Sequence, residues 1–312
     1  MIHLRIVSPC DSTDEVVRLI RAGQAASNVA VLRGAALDPP GDLVLADVVR
    51  EGVNTIVSGL KAIGVDRAGS IALENIDVVV SRSADDADRR VPGYGTDAAV
   101  WEEVEARVRD ESVLTVSFLV FLVVAALIAA VGLLEDSPIL IVGAMVVGPE
   151  FGPIAGLSVG FFRRRPQRIR VAAMTLTIGL AVGAVAALAG TLVADAFDLV
   201  PGDFSPRAQP LTGFIVDPSV LSGVVALLAG VVGTLSLTEA KAGALVGVLI
   251  SVTTIPAVAA IGVSGALGAW DDAWGATIQL ALNVVALVVA GVVTLFVQRA
   301  AWARIARPAA LR

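Results

Sequence analysis

The chain has 312 residues, of which 56% are hydrophobic and only 17% are charged, whereas an ordinary globular domain has about 45 to 50% apolar and about 25% charged residues. A soluble protein of this length has too little interior to bury so many apolar side chains, so the composition excludes one. Residues 1–111 hold 12 of the 23 Lys and Arg residues and 19 of the 29 Asp and Glu residues. We therefore expect an aqueous N-terminal domain followed by a membrane region.

The chain has few of the side chains that catalysis and metal binding use. Its one cysteine, Cys10, excludes an internal disulfide and a cysteine-built metal cluster. Its one histidine, His3, is predicted to be an ordinary strand residue, far along the sequence from the apolar region. A His-Asp-Ser triad or a two-histidine metal centre is therefore not expected, and the sequence predicts neither an enzyme nor a metal or cofactor site.

Residues 1–81 alternate short β-rich and helical patterns. Strands are predicted at 2–7, 29–32, 43–48 and 70–80, and helices from 11–13 to about 26 and at 53–63. This βαββαβ order is the ferredoxin-like α+β arrangement, which suits ligand sensing or subunit contact. The sequence thus predicts a small ferredoxin-like domain, placed in the cytoplasm because no secretory signal peptide opens the chain.

Charged residues continue from this domain to the predicted bilayer. Residues 82–96 have the proline, glycine and charge content of a linker, and residues 97–111 have the pattern of a charged connecting helix. The net charge of residues 1–111 is 12 minus 19, or −7, and they contain no basic run. Since nucleic-acid binding needs clustered Lys and Arg, no nucleic-acid partner is expected.

Six apolar segments satisfy the requirement of about 20 residues for crossing a hydrocarbon core of about 30 Å. They lie at 113–134, 137–162, 171–194, 219–237, 242–268 and 274–297. The predicted fold is therefore an α-helical polytopic membrane protein, with a six-span membrane domain at 112–298 and a basic tail at 299–312 that follows the ferredoxin-like domain.

Loop charges predict the orientation, because Lys and Arg near the spans favour the cytoplasmic side. With the N-terminus inside, the outer loops carry one basic residue, Arg207. The inner segments carry ten, namely Arg163, Arg164, Arg165, Arg168, Arg170, Lys241, Arg299, Arg304, Arg307 and Arg312. We therefore expect both termini on the cytoplasmic side of the plasma membrane, with the arginines either setting this topology or, in the tail, lying along the anionic inner leaflet.

The second predicted span contains two prolines within an apolar helical pattern. Pro149 and Pro153 each lack an N–H group, so the carbonyl groups four residues earlier lose their helical partners. In hydrocarbon those carbonyls need protein, water or an ion. The same span carries a glycine stripe at every fourth position, predicted to pack closely on neighbouring helices and formed by Gly148, Gly152, Gly156 and Gly160.

The fifth predicted span is interrupted in a similar way by Pro256, beside the hydroxyls of Thr253 and Thr254. Spans two and five hold the same position in two three-span halves, and an odd number of spans makes the halves run oppositely through the bilayer. Broken helices at corresponding positions are typical of inverted-repeat transporters. The sequence thus suggests a 3+3 inverted repeat with its pathway at the two breaks.

Three polar side chains lie well inside the predicted spans. Glu150 lies between the two prolines, where an acid is expected to be protonated, water-exposed or paired. Transport or gating and a structural bond to freed backbone groups both stay open as its role. Gln279 and Asn283 share one face of the sixth span at i and i+4, where a place in the pathway and interhelical hydrogen bonding are the alternatives.

The segment from Gly132 to Ile154 resembles the signature of the bacterial and archaeal membrane family catalogued as domain of unknown function 389. The later motifs Asp217-Pro218, the span around Pro256 and Leu282-Asn283-Val284-Val285 are also similar to that family, so that the resemblance covers roughly 112–297. It implies the membrane architecture and the ferredoxin-like N-terminal domain, but no substrate. The chain departs from the pattern at Glu150-Phe151, where Leu-Met is usual, and at Ile255-Pro256, where a double proline is usual.

These features favour a homo-oligomeric transporter or channel for an ion or small solute, regulated by the cytoplasmic domain and surrounded by membrane lipids. The alternative is a sensor or oligomeric scaffold, in which the ferredoxin-like domain binds a metabolite and the spans anchor it. An intramembrane enzyme is not favoured, because the apolar region contains neither an Asp pair nor a recognisable nucleophile with a base.

Overall fold

The computed structural model describes residues 1–91, 100–202, 204–217, 219–238 and 254–306, except for the side chains of 214 and 302–306. The chain divides into two compact units. The first contains Met1–Glu105, and the second contains Ala106–Leu237 together with the described residues from 254 to 299. Each unit has a hydrophobic core of its own.

The first unit is a four-stranded antiparallel sheet with helices. The elements follow in the order β1 Ile2–Ser8, α1 Thr13–Ala22, β2 Ala26–Leu37, β3 Pro40–Val48, α2 Arg50–Ala62, α3 Val65–Ala68 and β4 Ser70–Asn75. The sheet order is β2-β3-β1-β4, so that β3 lies between the two strands joined through α1, and β1 lies between the two joined through α2. These interleaved split β-α-β units have the predicted ferredoxin-like order.

Alternation along the strands explains which face of this sheet is covered. Ile2, Leu4 and Ile6 of β1 are fully buried, and they pack with Val16 of α1 and Leu60 of α2. Since side chains two residues apart lie on the same face of a strand, one face of the sheet forms the core with both helices.

Several boundaries differ from the sequence prediction. The first helix ends at Ala22 rather than 26, because Gly23 and the positive φ of Gln24 turn the chain into β2. The last strand ends at Asn75 rather than 80: pairing with β1 stops there, and the alternating valines at 78 and 80 are exposed.

The segment predicted as a linker is helical over α4, Arg82–Arg90. Ala84 and Ala87 are buried at helical spacing, and the Ser83 hydroxyl donates a 2.8 Å hydrogen bond to Asn28 Oδ1. The segment is therefore helical despite its charged composition, because two small side chains on one face of the helix are buried. Residues 92–96 of the predicted linker and 97–99 of the predicted connecting helix lie outside the described residues. The connecting helix α5 occupies Trp101–Glu111.

The second unit is helical. Its helices are α6 Val116–Leu134, α7 Pro138–Val147, α8 Phe151–Phe162, α9 Pro166–Ala196, α10 Val220–Thr238, α11 Ile255–Ala266 and α12 Trp270–Ala306. Among the described residues four helices (α6, α9, α10 and α12) are long and apolar enough to cross a membrane, and a fifth span is present if the bent pair α7 and α8 counts as one. The first half of the predicted fifth span, 242–253, lies outside the described residues, as do tail residues 307–312.

Helices α9 and α12 are 31 and 37 residues long and extend beyond the predicted third and sixth spans, 171–194 and 274–297. The last turns of α12 include the start of the predicted tail, where the Arg299 guanidinium lies 6.0 Å from the centre of the Phe162 ring. Both helices therefore project beyond the apolar segments at their charged ends.

The segment between α9 and α10 is tied to neighbouring helix ends by carboxylates. Asp136, in the turn between α6 and α7, accepts hydrogen bonds from the Thr212 N–H at 2.9 Å and the Thr212 hydroxyl at 2.8 Å. Arg207 forms ion pairs with Asp217 at 3.0 Å and with Asp272, at the start of α12, at 3.4 Å. These contacts fix the loop across the ends of α7 and α12.

Candidate functional site

The second predicted span is broken at the glycine-proline-glutamate sequence. Helix α7 ends at Val147, α8 begins at Phe151, and the two helices are bent by 58° at the break. Gly148 closes α7 through a 3.2 Å hydrogen bond from its N–H to the Ala144 carbonyl. Pro153 lies in the first turn of α8, where N–H groups lack intrahelical partners in any helix, so this proline starts the new helix at little cost.

The fifth predicted span has a helix start of the same kind. Helix α11 begins at Ile255 with Pro256 in its first turn, and Thr254 is its N-cap residue. Of the hydroxyl residues predicted beside this proline, Thr254 is described and Thr253 lies outside the described residues. Both prolines thus open a short helix of 12 residues that is buried along almost its whole length.

The two short helices begin next to each other. The Thr254 hydroxyl donates a 2.6 Å hydrogen bond to Glu150 Oε1, and both residues are fully buried. Glu150 and Thr254 are the N-cap residues of α8 and α11, yet neither side chain caps its own helix. Each N-cap side chain is instead bonded to the other, which joins two starts that are 104 residues apart.

Close packing at Gly148 holds these two starts together. A Cβ atom at this position would lie 2.5 Å from Glu150 Oε2 and 2.8 Å from the Ile255 side chain. The Glu150 carboxylate is therefore turned back over the Gly148 backbone, against the first residue of α11. Any larger side chain at 148 has to displace one of these groups.

The rest of the glycine stripe packs as predicted for small residues. A side chain at Gly152 would meet the Glu111 backbone, one at Gly156 would meet Ser112 Oγ, and one at Gly160 would meet Ile169. The Ser112 hydroxyl also donates a 2.9 Å hydrogen bond to the Gly152 carbonyl. These contacts hold the end of α5 and the start of α9 against α8.

A cavity of about 400 Å³ opens beside the break. Gly148, Pro149 and Gly152 line it on the side of the break, and Asp110 and Glu111 line it at the end of α5. Burial raises the pKa of Glu111, an effect that Arg107, at 3.8 Å, partly offsets. The arrangement therefore brings an acidic, partly desolvated surface to the interrupted backbone.

Sequence reasoning missed the residues that approach the break from α5. Asp110 and Glu111 were predicted only as part of a connecting helix, and Ser112 was not singled out. The hydrogen bond from Ser112 to the Gly152 carbonyl joins residues that are 40 positions apart in the chain. No local pattern signals it, because it depends on how α5 and α8 pack.

Gln279 and Asn283 form a separate polar cluster between α10 and α12. Gln279 Nε2 donates to Asn283 Oδ1 at 3.3 Å and to the Ser222 hydroxyl of α10. The two amides line a mainly apolar groove of about 620 Å³ together with Ser219 and aliphatic side chains of both helices. They thus make an interhelical hydrogen bond and do not line the cavity at the break.

The predicted arginine cluster lies at the turn between α8 and α9. Arg163, Arg164, Arg165 and Arg170 are exposed, Arg168 is half-buried, and Arg164 has a positive φ of 54°. The turn is closed by hydrogen bonds from the Arg163 N–H to the Val159 carbonyl and from the Arg165 N–H to the Gly160 carbonyl. The arginines therefore form a charged helix end well outside the break.

Within the described ranges no three His, Cys, Asp or Glu side chains lie close enough together to hold a metal ion. The chemistry available at the break is that of a carboxylate, a hydroxyl and backbone groups. Such groups can bind or pass an ion or a polar solute.

Comparison with known proteins agrees with the resemblance seen in the sequence. The family model described as domain of unknown function (DUF389) matches residues 145–289, which include both helix starts. An uncharacterized protein of Methanocaldococcus jannaschii is 23% identical over 177 residues, or 56% of this chain and 52% of the relative. The chain thus aligns with about half the length of that relative. No solved structure matches the chain significantly.

Proposed function

We propose that this protein, whose residues 145–289 form a DUF389 domain, is a membrane transporter or channel for an ion or small polar solute. The observation that carries the proposal is the meeting of α8 and α11 at the hydrogen bond between Thr254 and Glu150. Two short helices that begin at one point resemble the pattern by which many transporters build a site near the middle of the bilayer from interrupted helices.

The backbone at these helix starts supports the proposal. The first N–H groups of a helix have no intrahelical partner, and irregular backbone at membrane depth is tolerated only inside protein or along a water-filled cavity. The cavity at Gly148 and Pro149 reaches this backbone from one side. The polar groups at the break are thus close to a space that water can enter.

Three further parts of the proposal concern the surroundings of the pathway. With both termini in the cytoplasm, α8 runs from the break towards the inner side and α11 runs towards the outer side.

Apolar faces of α10 and α12, including Leu228 and Val285, are exposed and suit contact with lipids or with a second copy of the chain. The N-terminal unit is proposed to regulate the pathway.

Flux into proteoliposomes tests the proposal. Purified protein is reconstituted into liposomes, and a panel of small cations, anions and uncharged solutes is added outside. The uptake of each solute is compared with its uptake by protein-free liposomes. Gly148→Val is the test variant, because its side chain would press on Glu150 and Ile255, whereas Gly143→Val is the matched control, because a Cβ atom there meets nothing within 4 Å.

We expect the wild type and Gly143→Val to pass at least one solute class and Gly148→Val to lose most of that flux. Wild-type liposomes that behave like empty ones towards the whole panel would refute transport. Such a result, together with a metabolite that raises the melting temperature of the full-length protein, would favour the sensor or scaffold alternative.

A further inference from the structure

We propose that the turn between α8 and α9 binds the headgroup of an anionic phospholipid. The site is separate from the break, and the proposal holds whether or not the chain transports a solute. Two observations carry it: arginines from two parts of the chain come together at this turn, and an exposed apolar stripe begins beside them.

The turn carries a positive charge that neighbouring acids do not neutralise. Five of the eight residues from 163 to 170 are arginines, and no Asp or Glu occurs from 151 to 194. Arg164, Arg165 and Arg170 are exposed, and within the described ranges they form no ion pair. Their charge is therefore available to an anion that approaches from outside the protein.

A sixth arginine reaches this turn from α12. Phe162, the last residue of α8, is buried, and its ring meets the Phe296 ring edge to face with 5.0 Å between the ring centres. The exposed Arg299 guanidinium lies 6.0 Å from the centre of the same Phe162 ring. Arginines that only set the topology need to lie near the ends of spans, but they need not converge in this way.

An exposed apolar stripe on α9 begins at the arginines. Val171, Met174 and Ile178 are exposed at spacings of three and four residues, so they follow one face of the helix. Arg170 lies at the head of that face, four residues before Met174. A positive end thus continues into an apolar surface that faces outwards.

The length of this segment matches the layers of a bilayer. A helix rises 1.5 Å per residue, so the six residues from Arg165 to Val171 span about 9 Å. The headgroup layer on each side of the hydrocarbon core is about 5 to 8 Å thick. When Val171 enters the hydrocarbon, the arginines therefore lie at the depth of the lipid phosphates.

An anionic phospholipid fits both parts of this surface. Its phosphate accepts hydrogen bonds from guanidinium groups, and its acyl chains cover the apolar stripe. A free phosphate would contact the arginines alone and leave the stripe uncovered. Basic clusters beside membrane helices bind anionic headgroups, and in the predicted orientation this turn faces the cytoplasmic leaflet, whose surface is negative.

The test measures lipid binding by the purified full-length protein in dodecyl maltoside micelles. The protein is titrated with dioleoylphosphatidylglycerol, which is anionic, or with dioleoylphosphatidylcholine, which has the same acyl chains and no net charge. Bound lipid is counted by native mass spectrometry. A further titration with phosphatidylglycerol contains an excess of inorganic phosphate, which separates a lipid site from a site for free anions.

Three variants isolate the charge of the turn. The test variant removes three exposed charges of the turn and combines Arg164→Gln, Arg165→Gln and Arg170→Gln. Arg163 and Arg168 remain in it, so that positive charge is kept for membrane insertion. The rescue variant has lysine at the same three positions. The control removes three exposed arginines of the N-terminal unit by Arg18→Gln, Arg21→Gln and Arg67→Gln.

Each basic group near an anionic surface strengthens binding about fivefold. We therefore expect the wild type to bind phosphatidylglycerol at least about tenfold more tightly than phosphatidylcholine, and the glutamine variant of the turn to lose this preference. The lysine variant and the control are expected to retain it, and excess phosphate is expected to leave phosphatidylglycerol bound.

Four results would overturn the proposal. Equal binding of the two lipids by the wild type would show that the arginines only set the topology, and an unchanged preference in the glutamine variant would place the lipid elsewhere. Loss of the preference in the lysine variant would mean that the substitutions act on the structure of the turn and not on its charge. Displacement of phosphatidylglycerol by inorganic phosphate would assign the turn to free anions.

Discussion

Replacement of Thr254 by valine removes one buried hydroxyl with almost no change of shape. Its hydroxyl donates to the fully buried Glu150 carboxyl group at 2.6 Å, and removing one partner of a buried hydrogen bond costs about 1 to 3 kcal/mol. Because the loss leaves a buried acceptor with one donor fewer, we expect Thr254→Val to lower the free energy of unfolding by about 2 kcal/mol.

A matched control separates this effect from the general cost of losing a threonine hydroxyl. Thr191 is equally buried, and its hydroxyl donates at 2.8 Å to the Ala187 carbonyl of its own helix, α9. That carbonyl also accepts the helical N–H group, so it keeps a partner when the hydroxyl is lost. Thr191→Val is therefore expected to cost less than about 1 kcal/mol.

The assay is equilibrium unfolding of the full-length protein in mixed micelles with increasing sodium dodecyl sulfate, followed by tryptophan fluorescence. A double-mutant cycle combines Thr254→Val with Glu150→Leu, and contacting residues in such cycles show coupling energies of about 0.5 to 3 kcal/mol. We expect coupling above about 1 kcal/mol for this pair. Additive effects, or equal losses from Thr254→Val and Thr191→Val, would refute the role assigned to this hydrogen bond.

Three further predictions concern other parts of the fold. Gly152→Ala is expected to destabilise the protein, because its methyl group would meet the Glu111 backbone, whereas Gly143→Ala is expected to be neutral or stabilising; thermal unfolding compares the two. The pKa of Asp42 is lowered to about 2 from 3.8, chiefly by the Gly34 N–H, so the stability it contributes is present above pH 4 and is lost as the pH falls towards 2. Asp42→Asn should therefore flatten the acid branch of a pH titration of circular dichroism, and an unchanged curve would contradict this. Asp136→Ala is expected to expose the segment between α9 and α10 to protease, since it removes the acceptor of the Thr212 hydrogen bonds, and Asp136→Asn is expected to retain more protection.

The helix interruptions were predictable because their cause is local. Pro149, Pro153 and Pro256 each remove an N–H group, and no neighbouring sequence can restore it. In the structure Pro153 and Pro256 each lie in the first turn of a helix, α8 and α11 respectively. Sequence thus locates the break, whereas tertiary packing decides on which side of each proline the helix restarts.

The meeting of the two helix starts was not predictable from the sequence. Glu150 was predicted to be protonated, exposed to water or paired, and Thr254 was one of several hydroxyls beside a proline. Their contact spans 104 residues and depends on the packing of Gly148 against Ile255. A contact between residues so far apart in the chain produces no periodic pattern in the sequence of either segment.

The N-terminal unit shows the same division between local and long-range information. Strand alternation predicted β1 and its buried face, since Ile2, Leu4 and Ile6 alternate with exposed or half-buried residues. Composition alone predicted a linker at 82–96, because the two alanines that bury α4 are hidden among charged residues. The error arises where a few small side chains determine packing.

Cysteine accessibility tests the central claim most directly, which is that the starts of α8 and α11 lie on a pathway that water enters. The natural cysteine is first removed as Cys10→Ser, and a single cysteine is placed at Thr254 or, as the control, at the equally buried Thr191. Membrane vesicles are then treated with a small charged methanethiosulfonate reagent. We predict that the cysteine at 254 reacts and that the cysteine at 191 stays protected. If the cysteines at 254 and 191 are equally protected from the reagent, the claim that water reaches the starts of α8 and α11 is contradicted.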